Sequence, residues 1–478
     1  MWSGSITNPQ DAYSYLTSHY ITKNVPFKFR GIDFSFSLSQ GLFSSADIDS
    51  GTRLLLKVVS AVLDKNTVKD SHVKILDAGC GAGIIGICVS AAIRAQGKSV
   101  YARCQDRDEL ARLVTLYNAV QNHVPKEILD AFTEPLLAGP PEAGWDFIIS
   151  NIPAKAGLPV LEDFIKRSIR LLNENGKCII VAVHTLADFF RESISANGAL
   201  IEHEEKESGH SVFVFSRTDK TKNNNDYAPI ITGCGFIENY SFYHRALVEQ
   251  TLDNFPMQIK TIYGAPGYDS QNAAETAVLK LLEKLVSYSK PTGKPVLNTA
   301  HPILIHEPGQ GFFPCQLYAF LSHNQEFAKI AESQNWVFSG RNILSLLAAQ
   351  YNFDRNTGRY CAIIPAVDLK LGATLLQRAA VKQNTETSMD SHPVNATNSF
   401  EMIIAFPELL PQSSLPKGIC QFESLWESFK PLLLPNALVL AGLSSNEAER
   451  FDRKKPAGFT RLGNIKRGGF RAMGYVSC

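Results

Sequence analysis

Ile75-Leu-Asp77-Ala-Gly79-Cys-Gly81-Ala-Gly83-Ile-Ile-Gly86 is the stretch on which the fold turns. Lys74 to Leu76 reads as a short buried strand entering it, and the apolar run that leaves it reads as a helix to about Ala95. The glycines between, lacking β-carbons, let the chain turn tightly and bring its backbone close to a ligand. Working outward, Val100 to Cys104 reads as a second strand and Glu109 to Gln121 as a helix. Phe147 to Ser150 and Cys178 to Val183 read as further strands with a helix, Val160 to Leu172, between them, and Val212 to Phe215 closes the series. Strands alternating with helices predict an α/β fold, a parallel sheet covered on both faces. Ligands of such sheets sit at the carboxyl ends of the strands, near the switch in strand order.

The glycine pattern alone leaves two nucleotide ligands open. Gly81-Ala-Gly83-Ile-Ile-Gly86 satisfies the Gly-x-Gly-x-x-Gly dinucleotide fingerprint, and Asp106, at the end of the next strand, is spaced to accept ribose hydroxyls in either case. Two residues favour S-adenosylmethionine (SAM). Asp77 precedes the glycines, where a carboxylate can serve the charged methionine end directly or through water. Asn151 ends a buried strand in Trp145-Asp-Phe-Ile-Ile-Ser-Asn151-Ile152-Pro153-Ala154, a group for which hydride transfer has no evident use. Methyl transfer from a sulfonium is an in-line displacement and depends on aiming a lone pair at the methyl carbon. The oxygen of Asn151 and a neighbouring carbonyl, that of Ile152, can accept both hydrogens of an exocyclic amine and hold its lone pair in place, with Pro153 stiffening the turn. The plainer reading makes Asn151 and Pro153 ordinary turn residues. Asp108 reads as a first-turn residue of the following helix, favoured by its dipole.

Gly41-Leu-Phe43-Ser44-Ser-Ala-Asp47-Ile-Asp49-Ser-Gly51-Thr52, then Asp77-Ala-Gly79-Cys-Gly81, Asp106, Asn118 and Ser150-Asn151-Ile-Pro153 together resemble the small-methyltransferase-domain family of class I SAM-dependent enzymes, over about residues 25 to 217. Its best-known members methylate guanine N2 of ribosomal RNA. The resemblance implies that Asp77, Ala78, Gly79, Cys80 and Gly81 line SAM, that Asp106 holds its ribose, that Phe132 or Thr133 lies near adenine, and that Asn151, Ile152 and Pro153 meet the target amine. It also implies ribosomal RNA or a ribosomal particle as partner. One departure matters: the family runs Asn-Pro-Pro-Phe or Tyr, whereas Ala154 stands here in place of the ring that stacks on an extruded base. Phe43, Phe132 and Trp145 are the candidates to replace it, each otherwise a core residue.

The second half echoes the first in order. Ile303-Leu-Ile-His-Glu-Pro-Gly-Gln-Gly-Phe-Phe-Pro follows Ile75 to Gly86, Leu344 to Asn352 follows Leu110 to Asn118, and Phe400-Glu-Met-Ile-Ile-Ala-Phe-Pro follows Trp145 to Pro153. Thr276 to Leu282 echoes Thr52 to Val58, and Lys466-Arg-Gly-Gly-Phe echoes Lys206-Glu-Ser-Gly-His. The expectation is two tandem doubly wound, Rossmann-like methyltransferase domains, residues 1–220 and 221–478, the second degenerate, joined through the polar stretch Thr218 to Asp226. Family members that pair an active with a decayed copy usually carry the decayed one first; here the order is reversed. In the second copy Ile305 replaces Asp77, Glu307 the first glycine, Pro314 Gly86, Gly340 Asp106 and Phe406 Asn151, while an alternative frame lets Glu307 serve as the lost acid.

The composition sets limits. With 478 residues, 45% apolar, 19% charged and a formal charge of +1, the chain has room for two cores and no overall basic coat for nucleic acid. Arg450, Arg453, Lys454, Lys455, Arg461, Lys466, Arg467 and Arg471 crowd its end, as a phosphate-facing patch or as plain solvated surface. Nine cysteines without a Cys-x-x-Cys pair argue against zinc or a disulfide framework, so no metal is expected. No apolar stretch is long enough for a membrane span, the scattered cysteines lead to the expectation of a reducing cytoplasm, and the oligomeric state is left open, a monomer included. Transfer to a protein amide or a small molecule, and a binding protein with a relict pocket, remain as alternatives.

Overall fold

The computed structural model describes residues 9–65, 72–138, 143–207, 209–218, 236–252, 255–267, 269–292, 302–324, 327–332, 336–382, 400–410, 415 and 419–478. The chain divides into two compact units, a first of Tyr13–Ile231 with Ser413–Lys417 and a second of Thr232–Gln412 and Gly418–Cys478 with Met1–Ala12. The expected linker, Thr218 to Asp226, lies outside the described residues apart from Thr218.

After helix α1 (Pro9–His19), the first unit opens with a hairpin of β1 (Lys23–Phe29) and β2 (Ile32–Leu38), followed by α2 (Ser50–Lys65). Then come β3 (His72–Ala78), α3 (Ile84–Ala95), β4 (Ser99–Asp106), α4 (Glu109–Gln121), β5 (Leu129–Thr133), β6 (Trp145–Asn151), α5 (Leu158–Leu171), β7 (Leu172–Val183), α6 (Ala187–Ala196), β8 (Leu200–Glu207) and β9 (His210–Ser216). The sheet order is β5-β4-β3-β6-β7-β9-β8. From β5 to β7 all pairs are parallel, as the alternation predicts. The sheet is nevertheless mixed: β9 runs antiparallel to β7, and β8 to β9. That departure comes from a hairpin turning at Gly209, whose φ of 79° suits glycine. The central strands are buried on both faces, which is why Ile75, Leu76, Ile148 and Ile149 form continuous apolar runs. Helix α3 is apolar nearly all round because it too is buried.

The second unit repeats this plan. Following α7 (Phe236–Asn239), a hairpin of β10 (His244–Leu252) and β11 (Phe255–Ile262) precedes α8 (Ala273–Thr292). The sheet is built from β12 (Ile303–His306), α9 (Phe312–His323), α10 (Ala328–Glu332), β13 (Trp336–Gly340), α11 (Ile343–Thr357), β14 (Cys361–Pro365), α12 (Leu369–Lys382), β15 (Phe400–Ala405), α13 (Gln421–Phe429), β16 (Leu433–Ser444), α14 (Ser445–Arg453), β17 (Phe459–Arg467) and β18 (Phe470–Ser477). Its order, β14-β13-β12-β15-β16-β18-β17, matches the first strand for strand, and its last pairings are antiparallel as well.

Strand register makes the correspondence residue-specific. Ile75 pairs with Ala102 and Phe147, and Ile303 pairs with Trp336 and Met402. Counting along each strand sets Ile305 at the place of Asp77, Gly340 at that of Asp106 and Phe406 at that of Asn151.

Candidate active site

The site of the first unit is built where β3, β4 and β6 end side by side. Gly79, Gly81 and Gly83 all have positive φ, at 78°, 55° and 78°. Their needs differ. A β-carbon on Gly83 would collide with Thr115, and one on Gly86 with the sulfur of Cys104, so these two are glycine for packing. A β-carbon on Gly81 would meet nothing within 4 Å, and one on Gly79 only Leu136 at 3.9 Å. Those two face open space, so a ligand can approach the loop closely there. The loop is pinned by Gly79 and Cys80 N–H groups donating to the Gln105 carbonyl at 2.8 and 3.0 Å.

Asp77 is fully buried, and its Oδ2 accepts the Gly86 N–H at 2.8 Å. Its Oδ1 has no hydrogen-bond partner. Burial pushes the carboxyl up to about 7; the Gly86 N–H works against this, and the nearby charge of Asp106 adds to it. A buried carboxylate with one unpaired oxygen is costly unless something donates to it, and the ammonium end of SAM, or a water carried with it, is such a donor. Asp106 accepts from Gly81 N–H at 3.0 Å through Oδ2 and from Asp108 N–H at 3.1 Å through Oδ1. Burial first, then Asp108, raises it to about 6. Asp108 itself caps α4, accepting the Leu110 N–H at 2.9 Å. These residues fit SAM: an orphan acid for its cation, an acid at the end of β4 for its ribose, and a loop open to its backbone.

At the end of β5, Phe132 is half-buried beneath the guanidinium of Arg103, 3.6 Å from its ring centroid. The Thr133 hydroxyl donates to Glu109, which also pairs with Arg112. Ala78 ends β3 with its carbonyl taking the Ser150 hydroxyl at 2.6 Å, which fastens the end of β6 to the start of the glycine loop. Next along β6, Asn151 is part-exposed, and its Nδ2 donates to Asp49 at 2.9 Å and Thr52 at 3.0 Å. Ile152 is buried, with its N–H on the Val181 carbonyl at 3.0 Å, and the Pro153 carbonyl accepts Ala156 N–H at 3.0 Å to close the turn. Asn151 thus lies on β6, whose neighbour β3 carries the glycine loop. Of the candidate rings, Trp145 is 5% exposed and belongs to the core, whereas Phe43 is 75% exposed on the loop leading to Asp49. Asp49 and Thr52, to which the sequence reading gives no role in the site, touch Asn151. No local pattern reveals this, because the contact spans a sequence separation of about a hundred residues.

In the second unit the same places are filled. Glu307 keeps the left-handed φ of Gly79, at 59°, and its N–H still donates to the neighbouring strand, to Ser339 at 2.7 Å. Its carboxylate turns back to accept Arg341 N–H at 2.7 Å, and a β-carbon on Gly340 would lie 2.9 Å from it. The acid therefore occupies space that an aspartate at position 340 would need. Phe406 packs edge-on against Phe313 and over Gly442. Much of the basic cluster at the chain's end is neutralised: Lys454 pairs with Glu423, Arg461 with Asp452 and Arg471 with Glu449, while Lys455 donates to the Phe459 carbonyl. Among the described residues there is no group of metal-ligating side chains and no helix long and apolar enough to cross a membrane, and the described cysteines are free.

Residues 33–197 match the methyltransferase small domain family. Ribosomal RNA small subunit methyltransferase C of Photobacterium profundum is 27% identical over 164 residues, 34% of this chain and 43% of that protein. The uncharacterized protein YbxB of Bacillus subtilis is 28% identical over 156 residues, 71% of its length. The chain therefore spans less than half the length of the first of these relatives. Among solved structures, the T. thermophilus 16S rRNA N2 G1207 methyltransferase, in complex with AdoMet and guanosine, superposes with a TM-score of 0.55 over 96% of this chain and 99% of its own, at 12% identity. That likeness establishes the two-unit, Rossmann-like α/β fold.

Proposed function

We propose that this chain, whose residues 33–197 belong to the methyltransferase small domain family of class I SAM-dependent methyltransferases, methylates an exocyclic amine, with guanine N2 of ribosomal RNA the leading acceptor. The observation that carries the reading is the hydrogen bond from Ser150 to Ala78, which holds the Asn151-Ile152-Pro153 turn beside the glycine loop. Bound at that loop, SAM supplies an electrophilic methyl on a positively charged sulfur. Asp77 meets the methionine ammonium, Asp106 the ribose hydroxyls, Ala78 to Gly81 the ligand's length, and Phe132 with the Thr133 backbone the adenine side. Asn151 Oδ1 and the Ile152 carbonyl accept the two hydrogens of the acceptor amine. An exocyclic amine spreads its lone pair into the ring, so holding both hydrogens on one side restores its aim, and aim is worth much of the rate. Pro153 keeps the turn stiff while this happens.

The second unit, in this reading, is a degenerate copy that holds no SAM. Ribosomal RNA as partner places the protein in the cytoplasm. The exposed Ala154, where a stacking ring is expected, favours a second reading in which the acceptor is a protein amide or a small molecule. Incubation with methyl-labelled SAM, followed by separation of RNA, protein and metabolites, decides. Label in RNA supports guanine, label in protein or metabolites moves the acceptor, and label nowhere leaves a binding protein with a relict pocket.

A further inference from the structure

The two ends of an asparagine amide are chemical opposites: the oxygen accepts and the nitrogen donates. Only one of the two orientations of Asn151 can receive the hydrogens of an amine; a half-turn about its last bond would point N–H groups at them instead. In the structure its Nδ2 lies 2.9 Å from Asp49 Oδ2, 3.4 Å from Asp49 Oδ1 and 3.0 Å from Thr52 Oγ1. The Thr52 hydroxyl can donate or accept and so imposes nothing by itself, whereas an ionised carboxylate only accepts. Asp49 is in turn held at the start of α2: its Oδ1 accepts Thr52 N–H at 2.8 Å and its carbonyl accepts Arg53 N–H at 3.1 Å.

We propose that Asp49 is a positioning residue that fixes the amide orientation of Asn151, so that Oδ1 faces the acceptor amine. Its negative charge also draws the amide's electrons toward Oδ1, making that oxygen a better acceptor. The inference rests on the reading that Asn151 receives an amine. It gives the Asp49-x-x-Thr52 segment a chemical task beyond capping a helix.

Capping and positioning separate cleanly by substitution. Asp49→Asn keeps an oxygen for Thr52 N–H, and asparagine caps as well as aspartate does. It replaces the oxygen facing Asn151 with N–H groups, and two donors then meet. The amide of Asn151 is relieved by turning over, and kcat falls by about 100-fold, the scale of losing one aimed hydrogen-bonding group. SAM affinity and melting temperature stay at wild-type values. Asn151→Asp alone sets two carboxylates side by side and also loses turnover. Combining Asp49→Asn with Asn151→Asp restores a donor facing an acceptor with the roles exchanged and leaves an oxygen toward the amine, so the pair is at least about tenfold faster than either single variant.

Wild-type kcat in Asp49→Asn overturns the proposal, as does a parallel loss of kcat, SAM affinity and melting temperature, or a double variant no faster than its slower parent. A spectroscopic arm is independent of the acceptor. The Asn151 side-chain amide, assigned by its disappearance in Asn151→Ala, shows a downfield N–H proton from the charged hydrogen bond that Asp49→Asn abolishes; an unshifted proton in the wild type rejects the lock. If that proton is shifted but no RNA becomes methylated, the guanine reading fails and the Asp49 lock stands.

Discussion

In the first unit Asn118, on α4, takes the Ser37 N–H on its oxygen and donates to the carbonyls of Ser37 and Ala82. In the second unit Asn352, on α11, takes the Lys260 N–H and donates to the carbonyls of Lys260 and Gln310. One turn on, Asn122 clasps Ser35 on both sides, and Asn356 clasps Gln258 in the same way. The helix starts agree as well, with Asp108 and Asn342 each capping through the N–H two residues ahead. At the strand ends the units part: where the first has Asp77, Asp106 and Asn151, the second has Ile305, Gly340 and Phe406 at the equivalent registers. The residues retained are those that tie the helix to the passing strand, whose loss would cost stability whether or not a ligand binds. The residues replaced are the three expected to meet a ligand, although each also has a partner within the first unit.

The sharpest way to break this comparison is to cut both units at the Asn151 register. Asn151→Ala should lower kcat about 1,000-fold while SAM affinity stays within about twofold, because the residue acts on the acceptor rather than on the cofactor. Phe406→Ala should leave kcat and SAM affinity untouched and cost about 3 kcal/mol in urea denaturation of the whole chain, since its ring fills space against Phe313 and Gly442. Equal loss of SAM binding and turnover in Asn151→Ala would make Asn151 structural and remove its contrast with Phe406.

A somewhat smaller effect belongs to the end of β4. Asp106→Asn should weaken SAM by about 10- to 100-fold, as a charged acceptor of hydroxyls becomes a neutral one. Gly340→Asp should gain no SAM site, because Glu307 already fills that space, and should destabilise the chain by about 2 kcal/mol. Isothermal titration of the full chain then reads one SAM per molecule, and two equivalent sites would erase the distinction between the units.

Acidity offers a third contrast, because Ile305 cannot titrate where Asp77 can. Asp77 is raised to about 7 in the folded chain, so without ligand its contribution to stability is fully present below about pH 4 and is lost as pH rises through about 7. A SAM ammonium favours the ionised form, so affinity should rise severalfold from pH 6 through pH 7 and turn down near pH 8, where the ammonium itself loses its proton. Asp106, raised to about 6, adds a weaker dependence at the lower end of that range. Asp77→Asn should flatten most of the profile. Calorimetry in buffers of different ionisation heat should show proton release near pH 7 in the wild type and little in the variant.

The parts of the fold legible beforehand were those whose side chains answer to one local rule. The helix Glu109 to Gln121 was legible with the bounds the structure gives it, although Asp108, expected on its first turn, stands one place earlier as its cap; the buried strands Phe147 to Ser150 and Cys178 to Val183 were legible from unbroken apolar runs, though both extend further at their starts. Strand β8 was invisible because Glu-His-Glu-Glu-Lys-Glu carries no apolar alternation. It lies at the sheet edge, where charge suits it, and Lys57, Lys177 and Arg191 pair with its glutamates. Missing that strand is what made the sheet look wholly parallel. In the site, Asp77 was legible because it precedes the glycines near the end of a strand, and Asp106 because it ends the next strand. The bond from Asp49 to Asn151 could not, since it joins elements that meet only after the sheet has formed.

The smallest effect probes what the units share. Four residues of helix rise about 6 Å and two residues of strand about 6.7 Å, so asparagines one turn apart can clasp alternate residues of a strand running past them. That match explains why Asn118 and Asn122 meet Ser37 and Ser35, and why Asn352 and Asn356 meet Lys260 and Gln258. Asn122 and Asn356 are the outer, more exposed members of each pair, so water can replace part of what they supply. Asn122→Ala and Asn356→Ala should therefore each cost about 1 kcal/mol, alike within error, with SAM affinity unchanged in both. Hydrogen exchange should report the loss on the strand N–H groups of Ser35 and Gln258. A marked loss from Asn122→Ala with none from Asn356→Ala would mean that the second unit has let go of its scaffold as well as its chemistry.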